Sequence, residues 1–260
     1  MQLSGLRLQE FCLSPQATVM RLVPRQINHE ELLDLGQGSP AEVRRSLHDI
    51  RRINTYLGGA RVVMAETFRL LESNIRQSKA LLRGATILDV GTGSADIPLR
   101  FVRSGVKKGF DLRVIALDNN WRHLQTARAD VSRCANIHLL QGDAFQIPLA
   151  DNSVDVVIAS LFLHHFRPPQ IHLLLREFHR VSRVGWVVND LVRHYVPLIF
   201  FRLMAPIFAR SYITRHDGTA SILRGYTTAE MHRIVAATNL PQVTVREHFP
   251  YRMSVVGEKS

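Results

Sequence analysis

Ile87-Leu88-Asp89-Val90-Gly91-Thr92-Gly93-Ser94-Ala95 is the stretch on which the fold of this chain turns. An apolar, β-branched run ends beside a carboxylate, and two glycines follow at alternate positions before helical texture begins. Glycines at such a handover let the backbone turn sharply and approach a ligand with no Cβ in the way. A lone Gly-x-Gly is weak, so its weight depends on what surrounds it.

Downstream of Thr86 the texture alternates. Short apolar runs at 86–90, 112–118, 137–142, 154–160 and 186–190 predict strands, and helical segments near 96–104, 121–133 and 170–181 fall between them. Alternation of this kind predicts a parallel sheet with crossover helices. A further helix is expected near 194–210, and Thr227-Thr228-Ala229-Glu230 is a capping box that opens another. Two β-like runs, 243–249 and 253–256, flank Pro250 and predict a terminal antiparallel hairpin. Upstream, Ser39-Pro40-Ala41-Glu42 sets an N-cap, a first-turn proline and a capping-box glutamate in register. Val43, Leu47, Ile50, Ile53 and Leu57 then recur at helical spacing up to Gly58-Gly59, and a second helix is expected over 61–82. The expected architecture is α/β: a Rossmann-like, doubly wound, mostly parallel sheet over 84–260, with an N-terminal helical cap over 1–83.

The 260 residues, 46% of them hydrophobic, suffice for one substantial core. The formal net charge of +11 raises nucleic acid and anionic membrane as partners. The arginines, however, are scattered, with pairs at Arg44/Arg45 and Arg51/Arg52 and no dense tract, which favours a solvated face over a nucleic-acid groove. Cys12 and Cys134 show neither metal-ligand spacing nor a disulfide framework, and no metal site is expected. No run reaches the roughly 20 apolar residues that cross a bilayer, and no secretory profile opens the chain, so a cytoplasmic monomer or homodimer is expected. Three arginines against Glu10 in the first 25 residues fit a transit peptide or a packed extension.

A carboxylate at the end of the second strand, Asp118, occupies the place where dinucleotide-type folds set an acid against ribose hydroxyls, and Asp143 follows the third strand. The ordered set Ile87 to Gly93, Val114 to Asp118, Gln141-Gly142-Asp143-Ala144 and Asp151 to Ile158 resembles the successive motifs of class I S-adenosylmethionine-dependent methyltransferases. That resemblance implies S-adenosylmethionine as cofactor and S-adenosylhomocysteine as product. It places Gly91 and Gly93 under the methionine moiety, Asp118 on the ribose, and Asp143 with the Ala144 backbone at the adenine. Asp89, Asn119 and Ser160 complete the implied cofactor set, and Phe145 lies where it can stack on the adenine. Ala95 stands at the third glycine of the usual pattern, a change expected to tighten the loop slightly. Nicotinamide dehydrogenases use related glycine spacing, but the absent third glycine, Gly142-Asp143-Ala144 and the terminal hairpin count against them.

The acceptor is expected over the carboxyl ends of the strands, rimmed by 161–167, 190–194 and 212–224. Methyl transfer to oxygen needs the acceptor hydroxyl deprotonated, and histidine is the usual neutral-pH base. His164, His165 and His216 are the candidates. Against each stands a structural role: the adjacent pair packing or capping, and His216 in a turn with Asp217 and Gly218. The helix near 194–210 is apolar almost all round, which suits a core or dimer helix, or the wall of a lipophilic acceptor site with transient membrane contact. Arg51 to Gly59, Leu163 to Phe166, Val187 to Leu191 and Arg215 to Gly218 look like bacterial small-molecule methyltransferases, some of which accompany polyketide synthases and modify phenolic lipids. The leading expectation is O-methylation of a phenolic or quinol acceptor. Carbon methylation of a quinone precursor, nucleic-acid methylation and a non-catalytic scaffold are the alternatives.

Overall fold

The computed structural model describes residues 23–78 and 84–259. Cys12 and most of the segment read as transit peptide or packed extension lie outside the described residues.

Two helices lead, α1 (Pro40–Tyr56) and α2 (Gly59–Ser78). The Ser39 and Glu42 side chains form the expected capping box at the start of α1, so the local signal sets its boundary. The α/β body follows: β1 (Gly84–Val90), α3 (Asp96–Lys108), β2 (Asp111–Asp118), α4 (Trp121–Val131), β3 (Ile137–Gln141), β4 (Val154–Ser160), α5 (Pro168–Val181) and β5 (Ser182–Leu191). Then come α6 (Tyr195–Phe208), α7 (Tyr212–Arg224), α8 (Thr228–Ala236), β6 (Val243–His248) and β7 (Arg252–Glu258).

The seven strands lie in the order β3-β2-β1-β4-β5-β7-β6. β1 to β5 pair in parallel, while β7 runs antiparallel to both β5 and β6, which is the terminal hairpin the sequence predicts. Strand alternation divides the apolar residues between two faces. Leu88, Val90, Leu117, Val157 and Trp186 pack with Leu174 and Phe178 of α5 and Met231 of α8. Ile87, Val114, Val156 and Val187 pack with Phe101 of α3 and Ala127 of α4 on the other face. Val63, Phe68 and Leu71 of α2 belong to that second cluster, so the boundary expected at residue 83 runs through a shared core.

A second difference concerns the segment expected as a turn. Thr214-Arg215-His216-Asp217-Gly218 lies inside α7, with Ser211 as its N-cap. Gly218 is there for packing: a Cβ would stand 2.1 Å from the Phe201 ring of α6. Close helix contact, which no local propensity reports, overrides the turn-forming composition. Leu198, Phe201 and Ala205 of α6 join Ile222 and Leu223 of α7, and α1 joins through Val43 and Leu47 against Ile213. These three helices form a roof over the carboxyl ends of β1 and β4, where the strand order reverses and open α/β sheets hold ligands.

Candidate active site

The turn after β1 is held by the neighbouring strand. Gly91 and Thr92 donate their N–H groups to the Leu117 carbonyl at 2.9 and 3.0 Å. Gly91 and Gly93 have φ of +70 and +56, and a Cβ on Gly91 would stand 2.6 Å from the Phe162 ring. Ala95 also takes a left-handed conformation, φ 55 and ψ 30, so the backbone keeps the form a third glycine would favour. Asp118 organises the site: its Oδ2 accepts from Gly93 N–H and its Oδ1 from Asn120 N–H, both at 2.9 Å, with His123 Nδ1 3.3 Å from Oδ1. Asp143 Oδ1 accepts from Phe145 N–H at 2.9 Å, and its carboxylate stays at the surface. Phe145, Phe166 and Phe162 follow in an aromatic chain, with ring centroids 5.4 and 4.9 Å apart.

Asp89 is buried and accepts from Thr92 Oγ1 at 2.6 Å. Burial pushes its carboxyl up to about 8; the Thr92 bond pulls down, and the Asp96 and Asp118 charges push further up. At neutral pH the group is largely protonated.

One cavity of about 790 Å³ unites these parts, within the roughly 300–1,000 Å³ usual for small-molecule sites. Every residue expected to hold the cofactor lines it: Asp89, Gly91, Gly93, Asp118, Asn119, Asp143, Ala144 and Ser160. Its far end is apolar, walled by Leu47, Ile50 and Ile53 of α1 and by Phe200 and Phe201 of α6.

The three candidate histidines part company. His164 is buried between Asp190, whose Oδ1 lies 2.7 Å from Nδ1, and Glu31, whose Oε1 lies 3.4 Å from Nε2. Burial alone would lower its pKa, but the two carboxylates outweigh it and raise the imidazole to about 10. His164 is thus placed as the cation shared by two buried carboxylates. Asp190, at the start of the rim segment 190–194, is spent on this ion pair. His216 sits half-exposed on α7, 2.8 Å from Asp217, and is not among the residues that line the cavity. His165 does line it, with Nδ1 2.7 Å from Asp34 Oδ2.

Several groups at this site escaped the sequence reading. Arg224 donates from Nε to the His164 carbonyl at 3.2 Å and from Nη2 to the His165 carbonyl at 2.7 Å. Glu31 accepts from Ser221 Oγ at 2.7 Å, and with His164 and His165 it brings three ligand-type atoms within 4.8 Å of one another. Asn54 and Arg252 also line the cavity. These residues come from segments far apart in the chain, and no spacing announces them.

Residues 87–185 match the family model described as a methyltransferase domain. The chain is 26% identical over 159 residues to a demethylmenaquinone methyltransferase of Staphylococcus epidermidis, covering 58% of this chain and 64% of that relative. The corresponding protein of Staphylococcus carnosus is 25% identical over the same length. The chain therefore spans just under two thirds of the length of these curated relatives. Among solved structures, an S-adenosylmethionine-dependent methyltransferase from Aquifex aeolicus superposes with a TM-score of 0.53 at 18% identity, covering 85% of this chain and 98% of that one. Human N-acetylserotonin methyltransferase, solved with S-adenosylmethionine, gives a TM-score of 0.60 at 15% identity, covering 94% and 65%. Both share the fold.

Proposed function

We propose that this chain, which carries a class I S-adenosylmethionine-dependent methyltransferase domain, methylates a small, lipophilic acceptor of phenolic or quinol type. The observation that carries the proposal is the single cavity joining the glycine turn and its carboxylates to an apolar chamber under α1 and α6. Bound there, the cofactor supplies an electrophilic methyl group on a positively charged sulfur. Asp118 accepts from the ribose hydroxyls, Asp143 and the Ala144 backbone meet the adenine, and Phe145 flanks the ring. Asn119 and Ser160 border the same ligand, and the positive-φ glycines let the backbone lie close to it. Incubating the purified chain with methyl-labelled cofactor and a series of phenols and quinols, with products read by mass spectrometry, tests the reading. Labelled ethers support attack by oxygen, ring-methylated products support attack by carbon, and no labelled product in any extract or series overturns it.

O-methylation is the leading reading, and carbon methylation of a quinone precursor is the second. The names of the Staphylococcus relatives favour a quinone-type acceptor.

Asp89 gives the site a pH dependence. Its folded-state carboxyl titrates near 8, and a cationic ligand binds its ionised form better, so binding expels the proton. Affinity for S-adenosylmethionine is expected to rise from pH 6 towards pH 8 with uptake of the released proton by buffer. Calorimetry in two buffers of different ionisation enthalpy measures that release. An Asp89→Asn chain that keeps the same slope rules Asp89 out as its source.

The apolar outer face of α6 fits contact with a bilayer that stores the acceptor. Leu203 and Ile207 are 65% and 77% exposed, Phe249 in the β6–β7 turn is 86% exposed, and Arg202 and Arg210 stand exposed beside them. No helix among the described residues is long and apolar enough to cross a membrane, which leaves an interfacial mode. Co-sedimentation with vesicles containing phosphatidylglycerol is expected to retain the wild-type chain, and a Leu203→Glu, Ile207→Glu chain is expected to lose at least half of that retention. Equal retention of the two chains excludes this face.

A further inference from the structure

Among the described residues, four of the buried polar side-chain atoms that lack a partner lie in one place. Asn54 Oδ1, Asn189 Oδ1 and both terminal nitrogens of Arg252, Nη1 and Nη2, are buried with no hydrogen bond to protein. Asn54 comes from α1, Asn189 from β5 and Arg252 from the first position of β7. Their side chains nevertheless converge above the Cα of Gly59. A Cβ there would stand 2.9 Å from Asn54 Oδ1, 3.2 Å from Asn189 Nδ2 and 3.3 Å from Arg252 Nη1. Asn54 and Arg252 line the cavity, as does Ser160, whose Oγ accepts from Asn189 Nδ2 at 2.9 Å.

Arg252 is the anomaly in this group. It is 1% exposed and takes part in no ion pair found among the described residues. The carboxylate that acts on it, Asp190, gives its oxygens to the His164 ring and backbone and to Leu191 N–H. Burial lowers the guanidinium to about 10, partly offset by Asp190, so the charge persists at neutral pH. Taking an ion out of water without a partner costs several kcal/mol, and ordered water replaces hydrogen bonds without supplying the missing counter-charge. A planar guanidinium with both terminal nitrogens free offers a fork of donors matched to an oxyanion, and the Asn54 amide oxygen is an acceptor suited to an adjacent hydroxyl.

We infer that Arg252 and Asn54 form the acceptor-recognition site, with Asn189 packed behind them: Arg252 holds the ionised oxygen of a hydroxylated aromatic acceptor and the Asn54 amide oxygen takes a neighbouring hydroxyl. The inference rests on the methyltransferase reading and narrows it. The acceptor binds as an anion, held by a fixed positive charge that favours its ionised form. This removes the need for a histidine base, in keeping with the locked cation at His164 and the outward placement of His216. Methylation at oxygen would cancel the negative charge and with it the attraction to Arg252, which favours release of product.

The test uses 4-nitrocatechol, whose ionised form is coloured, together with S-adenosylhomocysteine so that no turnover occurs. The wild-type chain is expected to bind the probe as its anion at a pH where the free compound is mostly neutral, seen as anion absorbance appearing on titration. Arg252→Met is expected to bind it about tenfold or more weakly. The same variant, freed of an uncompensated buried charge, should melt at the same temperature as the ligand-free wild type or higher, with cofactor affinity unchanged. Asn54→Leu, which leaves the charge in place, should weaken binding while preserving the anion spectrum. Binding of the neutral form by the wild type, or a lower melting temperature with unaltered probe affinity in Arg252→Met, overturns the inference. If the wild type takes up S-adenosylmethionine and ignores the probe, the acceptor site falls and the methyltransferase reading stands. If it takes up neither, both fall.

Discussion

Asp118→Ala is expected to weaken S-adenosylmethionine binding by about tenfold to a hundredfold or more, the equivalent of about 1.5–3 kcal/mol for a charge-assisted bond. Two losses combine in that figure. The proposed contact with the ribose hydroxyls disappears, and so does the acceptor that anchors Gly93 N–H and Asn120 N–H at the head of α4. A residue that both touches the ligand and fixes the loop beneath it gives a larger effect than either role alone. Asp118→Asn separates them: its amide oxygen still accepts one backbone N–H, so the loop is partly kept while the charge is lost, and an intermediate affinity is expected. Calorimetric titration of the three chains is the measurement. Wild-type affinity in Asp118→Ala removes this carboxylate from the cofactor site.

His164→Leu is expected to destabilise the fold by about 3–5 kcal/mol, because it strips the shared cation from two buried carboxylates. Glu31 and Asp190 then face each other's field with no positive charge between them, and the His164 backbone N–H that also holds Asp190 Oδ2 cannot compensate. The loss has a characteristic pH window. The folded imidazole titrates near 10, above its ordinary 6.5, so its contribution is complete below about 6.5 and fades as pH climbs through 10. For Glu31, burial raises the pKa, but the His165 and His164 charges and the Ser221 bond bring it down to about 2 from an ordinary 4.5. Its share is therefore complete above about 4.5 and fades as pH falls through 2. Denaturant unfolding of wild type and variant across this range should give the widest gap between pH 4.5 and 6.5, closing towards pH 10. A gap independent of pH would mean that His164 contributes only its packing volume.

The same cluster shows what a pair of adjacent histidines leaves unsaid in sequence. Adjacent histidines after a central strand are chemically suggestive, and sequence carries no sign of Glu31 or Asp190 as partners. Glu31 lies 133 residues before His164, so only the closed fold brings them within 3.4 Å. The helical placement of His216 has a related cause. Asp217 and Gly218 are turn formers in isolation, yet Asp217 accepts Leu32 and Leu33 N–H at 2.9 and 3.1 Å and Gly218 admits the Phe201 ring. Asp217 ties α7 to the turn at 32–36 and Gly218 lets α6 and α7 close on each other, contacts that no local window contains.

What the sequence determined by itself was the sheet, its strand ends and the residues that rim the glycine-turn end of the cavity. Each strand carries its own periodicity, and the residues at the carboxyl ends of consecutive parallel strands come together whenever the sheet forms, so Gly91, Asp118 and Asp143 share one rim by topology alone. The proposed acceptor side was decided only by tertiary structure. Arg252, Asn54 and Asn189 come from a terminal strand, a leading helix and a central strand, and whether a buried guanidinium finds a counter-ion depends on which side chains packing leaves beside it. Backbone order is written in local pattern, whereas charge balance in a cavity is a property of distant residues brought into a low-dielectric space.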